Sequence, residues 1–206
     1  MRYTGEVTFF SLLQNFDAGG FWPLYGLSHQ SALLDAAGIF FAEYAAYVWA
    51  IILALVFMLP SEHKIKNRTA IIISIVAAFI ARYVVKTAIV LSLPRPRPFL
   101  ALSPVQPLIA TLPWENMQSF PSGHAILFFA LAASLYGFNK KIGLWAFLFA
   151  AMISIARIYA GVHWPSDILA GAVLGVLTGW LVYRFYRNNA EYIDTKMSAV
   201  FRRMPF

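Results

Sequence analysis

The sequence contains no cysteine and few charged residues. The lack of cysteine excludes disulfides, thiolate nucleophiles and cysteine-based metal sites within these 206 residues. Only 12% of the residues are charged, whereas 60% are apolar and 17% are aromatic. This balance is too hydrophobic for an ordinary soluble domain of this length, and it indicates a membrane protein.

Five apolar stretches approach the length of about 20 residues that a helix needs to cross the hydrocarbon core. They lie near residues 35–59, 69–91, 122–138, 142–160 and 165–186. We therefore predict an all-α fold, a polytopic bundle of five to six membrane helices. The whole chain, 1–206, is expected to form one domain.

Within this domain we expect an N-terminal interfacial segment (1–34), a transmembrane catalytic core (35–187) and a cytoplasmic tail (188–206). The stretch VTFFSLLQNF, residues 7–16, is either a short amphipathic helix in the membrane interface or part of a sixth membrane segment. The interfacial interpretation is favoured.

The basic residues follow the ends of the apolar stretches. They do not form a polar stripe interleaved with aromatics, so the net charge of +7 does not indicate nucleic acid binding. Ten of the sixteen Lys and Arg residues fall on one side of the threaded bundle: Lys64, Lys66, Arg68, Lys140, Lys141, Arg184, Arg187, Lys196, Arg202 and Arg203. The positive-inside rule places this side in the cytoplasm, which puts loops 92–121 and 160–164 together outside.

Five other cations lie in or at the outer ends of apolar stretches: Arg82, Lys86, Arg95, Arg97 and Arg157. Charges near hydrocarbon are costly, so such residues usually face a cavity or a partner. Snorkelling to the interface would explain any one of them. It explains the whole group poorly, and we predict that the five converge on an anion.

The two outer loops supply further polar groups. Ser122 and Gly123 open the third apolar stretch, where helix N–H groups can cradle a phosphate and glycine allows close approach. Asp167 lies four residues after His163, so in a helical first turn its carboxylate can accept a hydrogen bond from the imidazole. The other ring nitrogen would then be free to attack phosphorus.

Three motifs carry a resemblance to a known family. RPRPF at 95–99, PSGH at 121–124 and R-x5-H-x3-D at 157–167 resemble the signature of the type 2 phosphatidic acid phosphatase superfamily. The resemblance implies a helical membrane core, a phosphohistidine intermediate on His163, orientation of its ring by Asp167, and protonation of the leaving oxygen by His124. It also implies phosphate ligands, namely Arg97, Arg157, Ser122 and Gly123.

No metal or other cofactor is expected. Phosphoryl transfer needs in-line positioning and neutralisation of charge, which arginines and helix-end amides can provide in place of Mg²⁺. The sequence also offers no compact cluster of carboxylates or histidines beyond these residues.

The first and third motifs depart from the family pattern. The family commonly has a lysine seven residues before the motif arginine, but position 90 is valine and Lys86 precedes Arg97 by eleven residues. Lys86 either reaches the phosphate from one helical turn deeper or forms an ion pair within the bundle. Arg95 is predicted as a further substrate ligand. Ala156 replaces the usual serine before Arg157, a minor change because the guanidinium carries the charge.

Glu43 lies inside the first apolar stretch, where an unpaired carboxylate is costly. It either positions or protonates a substrate, or it neutralises Arg82 or Lys86 in the second stretch. Pairing with one of these cations is the favoured interpretation.

The N-terminal third, through GLSHQSALLD at 26–35 and FFAEYAAY at 40–47, resembles the bacitracin-resistance type of bacterial undecaprenyl-diphosphate phosphatase. This implies conversion of undecaprenyl diphosphate to undecaprenyl phosphate at the outer, periplasmic face of the bacterial cell (inner) membrane, for peptidoglycan biosynthesis. The alternatives are phosphatidylglycerol phosphate, phosphatidic acid or lipid A as substrate, or a non-enzymatic protein that binds or transports a phosphorylated lipid. No oligomeric state is indicated.

Overall fold

Helices dominate the described part of the computed structural model, which comprises residues 12–59 and 64–201. The eight α-helical elements are α1 Gln14–Tyr25, α2 Ala32–Met58, α3 Ile65–Ser92, α4 Pro98–Ala101, α5 Gly123–Phe138, α6 Lys140–Tyr159, α7 Pro165–Asn188 and α8 Ala190–Phe201. A 3-10 turn covers Pro113–Glu115. No strand occurs within these two ranges, and the all-α prediction is confirmed.

Four helices, α2, α3, α6 and α7, are long and apolar enough to cross a membrane. The apolar helix α5 is shorter, at 16 residues. Each of the five predicted stretches therefore coincides with one helix of a multi-pass membrane protein. Helix α1 has 12 residues and is too short to cross a bilayer. Most of the proposed interfacial stretch at 7–16 lies outside the described residues.

Helix α5 lies at the centre of the bundle and packs against α3, α6 and α7. Three glycines of α7, spaced four residues apart, permit its close approach to α5. A Cβ at Gly175 would lie 2.5 Å from the Ile126 carbonyl oxygen, and one at Gly179 would lie 2.2 Å from that of Ala130. Small residues thus bring the two helix backbones together, as is common in membrane bundles.

Two π-helical turns interrupt the long helices near the same end of the bundle. Phe40–Tyr44 interrupts α2, and Ile80–Val85 interrupts α3. A π turn adds one residue to the helix and turns the residues after it by about 100°. Such turns are frequent at functional sites.

Helix α1 and the long loop between α3 and α5 cover this end of the bundle. Phe21 of α1 is fully buried against residues from α5, α6 and α7. In the loop, the Arg95 amide donates to the Met117 carbonyl at 2.9 Å, and the Ser119 amide donates to the Arg95 carbonyl at 3.0 Å. This short backbone pairing fixes Arg95 and Ser119 beside the start of α7.

Candidate active site

His163 and Asp167 form a buried pair where α7 begins. His163, in the loop between α6 and α7, is 1% exposed. Its Nδ1 lies 3.4 Å from Oδ2 of Asp167, in the first turn of α7. The same oxygen accepts hydrogen bonds from the Ser119 hydroxyl at 2.5 Å and the Trp164 amide at 2.9 Å. Because these bonds fix the carboxylate, they also fix the imidazole that contacts it.

The second ring nitrogen of His163 faces a guanidinium, with Nε2 lying 3.4 Å from Nη1 of Arg97. Burial lowers the pKa of His163 well below its usual 6.5, and the charges of Arg97 and Arg157 lower it further. The imidazole is therefore neutral near pH 7. With the Nδ1 proton directed to Asp167, a lone pair remains on Nε2, as attack on phosphorus requires.

Two buried arginines lie beside this histidine. Arg97 donates from Nη1 to the Val162 carbonyl at 3.1 Å and from Nε to the Glu115 carbonyl at 3.0 Å. Arg157 donates from Nη1 to the carbonyl of Ala42, in the π turn of α2, at 2.9 Å. The Nε of Arg157 is buried and has no hydrogen-bond partner in the described part of the chain. A buried donor left unpaired costs about 1–3 kcal/mol, so this atom indicates the place of a ligand oxygen.

The first turn of α5 adds backbone donors. Ser122 caps the helix, since its Oγ accepts from the Ala125 amide at 3.5 Å. The Ser122 amide donates to the Asp167 carbonyl at 3.1 Å and ties the starts of α5 and α7 together. The next two N–H groups, of Gly123 and His124, belong to the first helical turn and lack intrahelical acceptors. A helix start of this kind binds anionic oxygens.

The structure brings Lys86 to the same cluster. The side chain is buried, at 3% exposure, and its ammonium interacts electrostatically with Arg97, Arg157 and His163. The π turn Ile80–Val85 directly precedes it and changes the direction in which it projects. This explains how the lysine reaches the cluster despite its unusual spacing from the motif arginine.

Arg82 and Glu115 also lie at the site, although no motif assigned a role to either. Glu115 is 4.0 Å from Nη2 of Arg82 and 3.5 Å from Nη2 of Arg97, so it bridges the two guanidinium groups. The Arg82 guanidinium lies against Gly123, where a Cβ would be 2.8 Å from Nε. The available signal was that Glu115 is the sole carboxylate in loop 92–121.

The contacts of Arg95 do not support its predicted role as a substrate ligand. Its Nη1 donates to Oδ1 of Asp167 at 2.5 Å and to the Ser166 hydroxyl at 2.8 Å, while Nη2 donates to Asp17 at 2.5 Å. Both terminal nitrogens are thus engaged by side chains around the start of α7. These contacts indicate that Arg95 supports the carboxylate of Asp167 instead.

The favoured pairing of Glu43 with Arg82 or Lys86 is not supported either. Glu43 is exposed on α2, and it forms no ion pair within residues 12–59 and 64–201. Arg82 pairs with Glu115 instead. Glu43 acts on Arg157 through a longer-range electrostatic attraction.

An apolar groove of about 810 Å³ runs between α2, α3 and α5. Phe57 lines it at one end, and Tyr83 and Phe128 line it near the site. Phe128 links the groove to the chemistry, because its ring stacks on His124 with centroids 6.5 Å apart. The groove therefore leads along the bundle from the polar cluster.

Across the described ranges, no three His, Asp or Glu side chains are grouped as a metal site would require. The polar cluster instead combines arginines, one lysine, helix-end amides and a histidine held by a carboxylate. Such a set fits a phosphate group, whose equatorial oxygens need neutralisation and whose phosphorus needs an in-line nucleophile. Metal-independent catalysis remains a prediction.

Comparisons with known proteins agree with this chemistry. A family model described as the PAP2 superfamily matches residues 69–191. Undecaprenyl-diphosphatase BcrC of Bacillus subtilis (strain 168) is 32% identical over 174 residues, which cover 84% of this chain and 86% of that protein. The bacitracin transport permease protein BcrC of Bacillus licheniformis is 36% identical over 170 residues, covering 82% and 79%.

The fold also matches a solved structure. The crystal structure of Aquifex aeolicus LpxE superimposes with a TM-score of 0.63 at 28% sequence identity. The match covers 82% of this chain and 95% of the LpxE chain. The similarity therefore includes nearly the whole of that helical bundle.

Proposed function

Because the chain belongs to the PAP2 superfamily and is a lipid phosphatase, we propose that it hydrolyses undecaprenyl diphosphate to undecaprenyl phosphate and inorganic phosphate. The observation that carries the mechanism is the arrangement of His163. One ring nitrogen is held by Asp167 and the other faces Arg97. A site that only bound phosphate would have no use for an oriented, neutral imidazole.

In the proposed first step, the Nε2 lone pair of His163 attacks the terminal phosphorus. A phosphorus–nitrogen bond forms, and the bond from phosphorus to the bridging oxygen breaks. The leaving group is undecaprenyl phosphate, whose oxygen takes a proton from the imidazolium form of His124 and leaves that ring neutral. Asp167 holds the Nδ1 proton and stabilises the charge that develops on the ring.

In the second step, a water molecule attacks the phosphohistidine and gives its proton to His124. The phosphorus–nitrogen bond breaks, phosphate leaves, and His163 returns to its neutral form. Arg97, Arg157 and Lys86 neutralise the phosphoryl oxygens in both steps, together with the amides at the start of α5. These groups are in place before the reaction, so little reorganisation is needed.

Three features support a polyprenyl diphosphate as the substrate. One is the name of the Bacillus subtilis relative, an undecaprenyl-diphosphatase that matches over most of its length. Another is Arg82, a further cation that lies against Gly123 and is available to the second phosphate. The third is the apolar groove, whose volume of about 810 Å³ suits part of a long hydrocarbon chain.

We also propose that the site faces the outside of a bacterial cell membrane. The loops that carry the site join the same ends of α3, α5, α6 and α7. The opposite ends carry the exposed cations Lys66, Lys140, Lys141 and Arg187. The positive-inside rule places that opposite end in the cytoplasm.

A substrate panel tests the proposal. Phosphate release by the purified protein would be measured with undecaprenyl diphosphate, phosphatidylglycerol phosphate, phosphatidic acid and lipid A, each with EDTA present. We expect kcat/KM to be highest for undecaprenyl diphosphate, and the rate to be unchanged by EDTA because the site holds phosphate with side chains and amides. Equal or reversed preference would contradict the substrate assignment, and a rate restored by Mg²⁺ alone would contradict metal independence.

The groove gives a prediction about chain length. Ala54 lines the groove away from the polar cluster. Ala54→Phe is expected to lower kcat/KM for undecaprenyl diphosphate roughly tenfold, since displacing about two CH₂ groups costs ~0.8 kcal/mol each. Farnesyl diphosphate, whose shorter chain ends nearer the site, should be affected less than twofold. Steady-state phosphate release with both substrates measures the difference.

The control for this prediction is Leu148→Phe. Leu148 is an exposed apolar residue of α6 and does not line the groove. This substitution adds an aromatic ring to the lipid-facing surface and should leave both substrates unaffected. A similar loss for both substrates in Ala54→Phe would show that the groove does not hold the chain.

A further inference from the structure

Asp17 of α1 lies in a buried network behind the catalytic carboxylate. It is 1% exposed and accepts hydrogen bonds from the amide and the hydroxyl of Ser166, both at 2.8 Å. Its Oδ2 also forms an ion pair of 2.5 Å with Nη2 of Arg95. The other terminal nitrogen of Arg95 lies 2.5 Å from Oδ1 of Asp167. One guanidinium therefore links two buried carboxylates.

From this geometry we propose that Asp17 is a positioning residue, which sets the charge and orientation of the His163–Asp167 pair through Arg95. The inference rests on the proposed nucleophilic role of His163. No sequence motif includes Asp17, which is separated from Arg95 by 78 positions and from Ser166 by 149.

Arg95 divides its interaction between the carboxylates of Asp17 and Asp167. If Arg95 paired with Asp167 alone, it would neutralise the carboxylate that must stabilise positive charge on His163. Asp17 accepts part of the interaction with the guanidinium, so more of the negative charge of Asp167 remains available to the imidazole. Low dielectric strengthens such interactions in a buried network.

Asp17 also fixes the geometry of the first turn of α7. Asp17 accepts the backbone N–H of Ser166, the residue before Asp167, and so satisfies one of the unpaired donors at the helix start. Arg95 engages Oδ1 of Asp167 and leaves Oδ2 directed to His163. Each oxygen of the Asp167 carboxylate therefore has its own partner, and the direction of Oδ2 towards the imidazole is fixed.

The test is a double-mutant cycle with Asp17→Asn, Arg95→Gln and the double variant. We expect Asp17→Asn to lower kcat roughly tenfold or more, which is the size of loss that follows when a hydrogen-bond partner behind a site residue is removed. KM should change less than twofold. In the Arg95→Gln background, Asp17→Asn should lower kcat less than twofold further, because its effect acts through Arg95. Activities are normalised to folded protein by size-exclusion chromatography and thermal unfolding.

Two substrates separate this inference from the proposed function. Because the substitutions act on the His163–Asp167 pair, they should lower kcat by the same factor with undecaprenyl diphosphate and with dioctanoyl phosphatidic acid. This holds whichever substrate the wild-type enzyme prefers. Effects of the two substitutions that multiply, or a change confined to KM, would overturn the positioning role. Ser166→Ala, which removes the hydroxyl shared by Asp17 and Arg95 without burying a new charge, should lower kcat in the same direction. Glu191→Gln, at an exposed position of α8, is the matched control.

Discussion

Replacement of His163 by alanine is expected to lower phosphate release roughly 10³-fold or more, because it removes the proposed nucleophile and with it the proposed covalent route. The side chain is buried and contacts Asp167 and Arg97, so its loss leaves no alternative imidazole at that position. The alanine variant should still bind the lipid, since Arg97, Arg157 and Lys86 remain. Initial rates at several enzyme concentrations measure the loss.

Covalent labelling provides an independent measurement. Wild-type enzyme mixed with substrate carrying ³²P in the terminal phosphate and stopped in alkali should retain base-stable, acid-labile label, as phosphorus–nitrogen bonds do. His163→Ala should retain none. His29→Asn is the control: His29 has a positive φ of 62°, which asparagine tolerates, and is exposed in the loop before α2. Activity within tenfold of wild type in His163→Ala would place the nucleophile elsewhere.

The positions of the membrane helices could be predicted from the sequence because hydrophobic length is a local property. Each predicted apolar stretch coincides with one helix. The positions of the basic residues also predicted that loops 92–121 and 160–164 lie on one side, and the structure joins these loops through the hydrogen bond from Arg97 to the Val162 carbonyl. The pairing of His163 and Asp167 followed from their spacing of four residues in a first helical turn.

Other features depend on geometry that the sequence does not display. The π turn Ile80–Val85 changes the direction of Lys86, so counting residues from the motif arginine could not decide between its two possible roles. Arg95 looked like a substrate ligand because it lies in a motif beside Arg97. Its contacts indicate another role only when Asp17, from a helix 78 positions away, is placed next to it. The expected ion pair between Glu43 and Arg82 is absent among the described residues for the same reason, because Arg82 pairs with Glu115 from the distant loop.

Replacement of Arg157 by lysine is expected to lower activity strongly. Arg157 donates a hydrogen bond from Nη1 to the Ala42 carbonyl. Its Nε is buried and has no hydrogen-bond partner in the described part of the chain. The guanidinium can therefore be held by the protein and still donate to a phosphoryl oxygen. Lysine keeps the charge, but all its donors share one nitrogen, which cannot occupy the positions of both Nη1 and Nε. We expect kcat/KM to fall on the order of 10²–10³-fold, as when one preorganised donor to the transition state is lost.

The comparison of Arg157→Lys with Arg157→Ala separates charge from geometry. If charge alone mattered, lysine would restore most of the rate lost in the alanine variant, and activity within threefold of wild type would contradict the proposed ligand geometry. Arg184→Lys is the matched control. Arg184 lies near the C-terminal end of α7, whereas the site lies at the N-terminal end, so this change should be tolerated. The loss should appear for every lipid phosphate that the enzyme accepts, since the proposed role of Arg157 is to bind the phosphate and not the tail. A loss limited to undecaprenyl diphosphate would instead assign Arg157 to the second phosphate.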